Sequence, residues 1–137
     1  MHYPLDSYRI VSYIALAMTF TEWFLVKFAN PAQLVKLFVP TRVSSFPGTD
    51  YDAHIRVSTK AVLRFSKFPI DDQVKLLLGG LKDSDPITRE ACAEKLFLLK
   101  AFPVRPKTFP LVEEAMKKAR NDSDSNVKAI ATSFFHC

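Results

Sequence analysis

The side chains that most often perform catalysis or bind metals are few and scattered in this 137-residue sequence. The histidines His2, His54 and His136 form no pair at metal-ligand spacing, and the cysteines Cys92 and Cys137 do not form a disulfide framework. Nucleophile elbows, phosphate-binding loops and paired carboxylates in an apolar setting are missing as well. The sequence therefore predicts a protein that is not an enzyme, with no metal and no cofactor, and with Cys92 as a small core residue.

The composition is typical of one mainly helical domain. Apolar residues make up 48% of the chain and charged residues 24%, which is enough to bury a core. Three glycines are too few for a β-rich fold with many tight turns. The net charge of +5 comes mainly from residues 1–69, which carry eight basic and four acidic side chains. This mild excess favours an acidic protein partner or anionic lipid, and no nucleic acid is expected.

The N-terminal segment, residues 1–30, contains an apolar helix over residues 7–29. Its central stretch would be about 29 Å long, close to the thickness of a bilayer core, and Asn30 and Pro31 end it. Two interpretations stay open, a helix embedded in a membrane and a buried helix that caps a helical stack. Glu22 then lies near the headgroups or pairs with a partner. Contact with lipid or other subunits is expected for Ile10, Ile14, Phe20, Trp23, Phe24 and Phe28.

After residue 30 a short motif occurs three times. Each copy begins Asp-x-Asp, has a basic residue six places after the first aspartate, and continues with small or apolar residues on one helical face. The copies are DYDAHIRVSTKAVL (residues 50–63), DSDPITREACAEKL (83–96) and DSDSNVKAIATSFF (122–135). Each copy follows a candidate first helix, which predicts three helical hairpins over residues 31–68, 70–102 and 108–136.

The charged residues of the motif predict helix caps and a ladder of ion pairs. The second aspartate, Asp52, Asp85 or Asp124, stands where a helix begins and can accept its free N–H groups. The first aspartate and the basic residue can pair within one unit or between stacked units, which would set the register of the repeats. The residues of this ladder are Asp50, Arg56, Asp83, Arg89, Asp122 and Lys128.

The string D-x-D-P-x-x-R-E-A-C-A-E-K-L in residues 83–96 resembles the second-helix signature of HEAT repeats. The resemblance extends over roughly residues 31–137, although the loop VPTRVSSFPGTD, residues 39–50, departs from the tight turn of that family. It implies an α-solenoid that binds protein partners and is usually not catalytic. We therefore expect an all-α fold, in which the N-terminal apolar helix precedes a short α-solenoid of about three HEAT-like hairpins.

Two surfaces of this fold are expected to bind partners. The resemblance implies that second helices line a concave side, and the first of them carries a stripe of cations suited to acidic protein segments or anionic headgroups, with an ordinary solvated face as the alternative. This basic stripe consists of Arg56, Lys60, Arg64 and Lys67. Near the C-terminus, Phe134 and Phe135 cannot both face the core, so one of them is expected to contact another subunit.

Two functions of different class are compatible with these features. The first is an accessory or scaffold subunit that binds neighbouring subunits in a large membrane-associated complex, with a mitochondrial inner-membrane respiratory assembly as one candidate by type. The second is a soluble cytoplasmic adaptor that holds an acidic peptide on its concave side, with the first helix serving only as a cap.

Overall fold

The computed structural model describes residue 20, residues 22–44 and residues 49–136, and all regular structure in these residues is helical. The prediction of an all-α fold is confirmed. We number the helices in chain order: α1 (residues 22–28), α2 (Pro31–Lys36), α3 (Thr41–Ser44), α4 (Thr49–Phe65), α5 (Ile70–Gly80), α6 (Pro86–Leu98), α7 (Phe109–Ala119) and α8 (Ser125–Phe134). A 3-10 turn, Leu99–Ala101, continues α6.

The N-terminal helix stops where the sequence predicts. It ends before Asn30, whose side chain then begins α2 through a capping box with Gln33: Asn30 Oδ1 accepts from the Gln33 N–H at 2.9 Å, and Gln33 Oε1 accepts from the Asn30 N–H at 3.1 Å. Ile10 and Ile14 lie outside the described residues. Within the described residues, none of the helices has the length and apolar character needed to cross a membrane.

The Asp-x-Asp motif forms the same local structure at two of its three positions. The first aspartate, Asp83 or Asp122, accepts a hydrogen bond from the backbone N–H of the second aspartate, at 2.9 and 2.8 Å respectively. The second aspartate, Asp85 or Asp124, accepts hydrogen bonds from backbone N–H groups in the first turn of α6 or α8. The predicted caps at Asp85 and Asp124 are therefore confirmed. The predicted cap at Asp52 is wrong, because α4 begins before that residue and includes it within the helix.

The helices enclose one apolar core in the described part of the chain. The helix pairs α2–α4, α5–α6 and α7–α8 are each in contact, α5 also contacts α2 and α7, and α6 contacts α8. Fully buried side chains come from most of these helices, and they include Leu34, Phe38, Val74, Cys92, Leu96, Val112, Met116 and Val127. Each of these helix pairs therefore has apolar surface of its own that the neighbouring pair covers.

Helix α5 approaches its neighbours closely at Gly80, its last residue. A Cβ atom at this position would lie 2.2 Å from Cys92 Sγ and 2.7 Å from Val35 Cγ1, far inside van der Waals contact. A Cβ atom on the preceding Gly79 would meet nothing within 4 Å. Glycine is therefore required at residue 80 for packing, since its backbone conformation is ordinary.

We expect Gly80→Ala to lower the free energy of unfolding by about 1–3 kcal/mol, because the added methyl group overpacks a site whose neighbours are buried. Gly79→Ala is the matched control and should be neutral or raise that free energy by up to about 1 kcal/mol, since alanine favours helix. Urea unfolding followed by circular dichroism measures both variants. Equal stability of the two would contradict the close packing of α5 on α6.

A bidentate ion pair joins α6 to the loop that precedes α8. Arg89 Nε and Nη2 each donate to a carboxylate oxygen of Asp122 at 3.1 Å, and Nη1 donates to the backbone oxygens of Asp83 and Ser84. Both side chains of the pair are only 14% exposed. The basic residue of the second motif thus binds the first aspartate of the third. Of the other residues in the predicted ladder, Lys128 is exposed on α8, and the side chain of Asp50 lies outside the described residues.

Arg89→Ala should lower the free energy of unfolding by about 2 kcal/mol, because it leaves the largely buried Asp122 carboxylate without its charged donors. Arg89→Lys should recover only part of this loss, since an ammonium group cannot donate in the same bidentate geometry. Lys107→Ala, in the exposed loop before α7, should change stability by less than about 0.5 kcal/mol. Thermal midpoints test the series, and equal midpoints for Arg89→Ala and Lys107→Ala would rule out a structural role for Arg89.

Candidate functional site

Helix α1 has one face buried against the rest of the chain and an opposite face that is open. Glu22, Val26 and Ala29 follow one another at helical spacing and are all at most 9% exposed. The opposite side carries four aromatic rings that are between 45% and 64% exposed. We call this surface the aromatic face, and it consists of Phe20, Trp23, Phe24 and Phe28.

The buried face of α1 is held by an ion-pair network with α4. Arg56 Nη2 and Nε donate to the two carboxylate oxygens of Glu22 at 2.9 and 3.3 Å, and Lys60 Nζ lies 3.4 Å from Glu22 Oε2. Arg64 Nη1 donates to the backbone oxygens of Val26 and Ala29 at 2.5 and 2.7 Å, and so satisfies carbonyl groups at the end of α1. Three cations of α4 therefore bind α1.

This network corrects the expectation of an open basic stripe. Arg56, Lys60 and Arg64 contact Glu22 or the end of α1, so the acidic group that they bind belongs to the same chain. Lys67 lies beyond the end of α4 and is exposed. The stripe is consequently an internal docking surface for α1 over most of its length.

The charges of α4 also determine the protonation state of Glu22. The hydrogen bonds from Arg56 hold the pKa of the Glu22 carboxyl below its usual range, although burial acts in the opposite direction. Lys60 adds a smaller effect of the same sign as Arg56. Glu22 is thus an ionised, paired carboxylate on the buried side of a mainly apolar helix.

The rings of the aromatic face form one contiguous cluster. The centroid distances are 5.8 Å from Phe20 to Trp23, 6.2 Å from Trp23 to Phe28 and 4.6 Å from Phe24 to Phe28. Lys27 Nζ lies 4.5 Å from the centroid of the Trp23 ring, a cation–π contact. The same Nζ also lies 5.9 Å from the centroid of Phe28, so the cluster combines a broad apolar surface with a positive charge among its rings.

The aromatic face continues into a groove between α1 and α2 with a volume of about 370 Å³. The groove is open and almost entirely apolar, and its one charged lining residue is Lys36. The lining residues are Phe24, Leu25, Phe28, Ala29, Gln33, Lys36 and Leu37. The rings and the groove together form one apolar surface, which carries Lys27 among the rings and Lys36 at the rim of the groove.

The acidic residues of α6 bind the first residues of α3. Arg42 Nε donates to both carboxylate oxygens of Glu90 at 2.9 Å. Glu94 accepts the Thr41 N–H at 3.0 and 3.2 Å and the Thr41 hydroxyl at 2.8 Å. Burial raises the pKa of Glu90 more than the Arg42 guanidinium lowers it. The sequence did not lead us to predict these contacts between α6 and α3. The pattern that could have indicated them is the pair Glu90 and Glu94, one helical turn apart among alanine and cysteine residues.

A second apolar groove runs across α4, α6 and α8. It consists of two hollows of about 270 and 320 Å³ that share Thr41, Glu94 and Leu98 in their walls. Leu63 and Leu98 line it and are 61% and 59% exposed. We call this surface the second-helix groove.

The phenylalanines near the C-terminus pack within the chain. Phe134 is 2% exposed, with its ring centroid 6.3 Å from Phe97 and 6.1 Å from Phe109. Phe135 is half-buried against Phe134, and the Arg120 guanidinium lies 5.3 Å from its ring centroid. Phe134 thus fills the core between α6, α7 and α8, whereas Phe135 keeps part of its surface exposed, and the contact of one of these two rings with another subunit stays a prediction.

The described residues were compared with the arrangements that bind metals or form reactive thiols. They contain no group of three or more histidine, cysteine or acidic side chains placed to hold a metal ion. Cys92 is fully buried, and burial raises the pKa of its thiol to about 12, which makes it inert at neutral pH. Comparison of the chain with protein-family models, curated proteins and solved structures gives no match.

Two buried carboxylates with opposite pKa shifts provide a test of the site's electrostatics. The lowered pKa of Glu22 adds stability that is fully present above the ordinary glutamate pKa, about 4.3, and is lost as the pH falls through the lower pKa of the folded chain. We therefore expect Glu22→Gln to reduce the free energy of unfolding near neutral pH. The difference from wild type should shrink towards a pH of about 3.

Glu90→Gln is the control of opposite sign. The raised pKa of Glu90 adds a contribution to the free energy of unfolding. This contribution is fully present below the ordinary glutamate pKa and is lost as the pH rises through the raised pKa of the folded chain. This variant should therefore become more stable relative to wild type as the pH rises. Urea titrations between about pH 3 and 8 measure both effects, and pH slopes of the same sign for the two variants would contradict these assignments.

Proposed function

We propose that this chain is a non-catalytic scaffold subunit of a membrane-associated assembly, and that it docks there through the aromatic face of α1. The observation that carries the proposal is the division of α1 into two sides. One side is fixed to α4 through Glu22, while the other presents four exposed rings in mutual contact. Exposed apolar patches of this kind mark surfaces that a partner or a membrane covers.

The remainder of the fold supports a scaffold built as a short HEAT-like α-solenoid. The pairs α2–α4, α5–α6 and α7–α8 fit three consecutive hairpins, and the contacts of α5 with α2 and α7 fit a stack of first helices. The Arg89–Asp122 pair fits the proposed ladder between neighbouring units. A stack of this type offers long surfaces for partners without requiring catalytic residues.

The second-helix groove is the proposed binding surface for a neighbouring subunit. Its exposed leucines, Leu63 and Leu98, favour an apolar segment of that subunit. The alternative of an adaptor for acidic peptides has less support, because Arg56, Lys60 and Arg64 are engaged by α1. An acidic peptide would have to displace Glu22 and α1 before it reached these cations.

The proposal predicts that the aromatic face is needed for membrane retention in cells. We expect the combined substitutions Trp23→Ser, Phe24→Ser and Phe28→Ser to move most of the protein from the membrane pellet to the supernatant, because they remove the exposed rings. Phe102→Ser, Val104→Ser and Leu111→Ser form a matched control of three exposed apolar residues elsewhere, and this variant should stay in the pellet.

Sedimentation of broken cells at low salt, followed by immunoblotting of both fractions, measures this distribution. Circular dichroism of the purified variants checks that the helical signal is kept. Retention of the α1 triple variant in the pellet at the wild-type level would refute docking through the aromatic face.

A further inference from the structure

We propose that the aromatic face of α1 binds directly to the interface of an anionic lipid bilayer, with α1 lying in the plane of that interface. This inference rests on the proposed function and names the partner of the same surface. Three features of the described residues carry it: the chemistry of the exposed side chains, the sign of the charges around them, and the attachment of α1 to α4.

The side chains of the aromatic face suit the boundary between headgroups and acyl chains. Tryptophan prefers this depth because its ring is apolar while its N–H can reach polar groups. The three phenylalanines beside Trp23, together with the half-exposed Leu25, supply the apolar area that enters the acyl boundary. The open groove between α1 and α2 extends this area on one side.

The lysines within and beside the aromatic face complement anionic headgroups. Lys27 is exposed and stacks on Trp23, so its ammonium group can extend from the ring towards phosphate while its stem stays with the apolar cluster. Lys36 stands at the rim of the groove with a side chain that is 65% exposed, and its Nζ lies 3.8 Å from Asp83 Oδ2. The acidic residue of α1 among the described residues, Glu22, is turned to the opposite side and paired.

The attachment of α1 sets how deeply it can enter the bilayer. Glu22 and the final carbonyl groups of α1 are bound by Arg56, Lys60 and Arg64, so this part of the helix lies along α4. Only the rings on the outer side can reach lipid, which corresponds to a depth of about 5–10 Å. The geometry favours a shallow, peripheral contact over a position across the bilayer.

The chain provides its own probe, because Trp23 is its only tryptophan. Purified full-length protein is mixed with vesicles of phosphatidylcholine alone or with about 30% phosphatidylserine. We expect a blue shift of Trp23 emission and co-sedimentation with the anionic vesicles, at an affinity about tenfold or more above that for neutral vesicles. Lipids brominated near the headgroup should quench Trp23 more strongly than lipids brominated near the chain ends.

Variants separate the lipid contact from general effects of charge and folding. Lys27→Gln combined with Lys36→Gln should weaken binding to anionic vesicles by about fivefold or more, and leave binding to neutral vesicles unchanged. Lys117→Gln combined with Lys118→Gln, on the exposed side of α7, removes the same charge elsewhere and should have a much smaller effect. Phe24→Ser with Phe28→Ser should remove the emission shift while the circular dichroism spectrum is kept.

Three results would overturn the inference. The absence of any Trp23 shift or co-sedimentation with either vesicle refutes direct binding to lipid, and the proposed function then stands, with a protein neighbour on the aromatic face, if retention in cells depends on α1. Equal affinity for neutral and anionic vesicles refutes the anionic preference. Strongest quenching by lipids brominated near the chain ends refutes the shallow position.

Discussion

The pairing of Glu22 with the cations of α4 is the interaction on which the candidate site depends. A carboxylate in an apolar helix has to be neutralised when it is buried, and Arg56 and Lys60 provide the charges for this. Once Glu22 is turned towards α4, helical periodicity turns Phe20, Trp23, Phe24 and Phe28 away from it. The orientation of the exposed rings thus follows from one buried charge and the pitch of a helix.

The parts of the fold that could be predicted are those determined by neighbouring residues. The all-α class follows from composition and periodicity, and the caps at Asp85 and Asp124 follow from an aspartate that directly precedes a helix. The same motif failed at Asp52 because α4 starts earlier. A local signal specifies that a helix can begin at a residue, but it does not exclude an earlier start.

The contacts between distant residues could not be predicted in the same way. The four cations of the basic stripe recur every three or four residues, yet two of them pair with a carboxylate 34 residues before Arg56. The ion pair of Glu90 with Arg42 joins residues that are 48 positions apart in the sequence. The sequence around Arg42 has no periodic pattern from which the path of the chain could be predicted. Phe134 and Phe135 differ in burial because Phe134 points between α6 and α7, which their adjacency alone does not reveal.

The contact between Gly80 and Cys92 has a consequence for measuring motion in the core. The Cys92 thiol is sealed where α5, α6 and α2 meet, so a thiol reagent can reach it only after these helices separate. The rate of its chemical modification is then set by how often this joint opens, and the dependence of that rate on denaturant distinguishes a local opening from complete unfolding. The buried thiol of Cys92 therefore serves as a natural reporter of the internal dynamics of the fold.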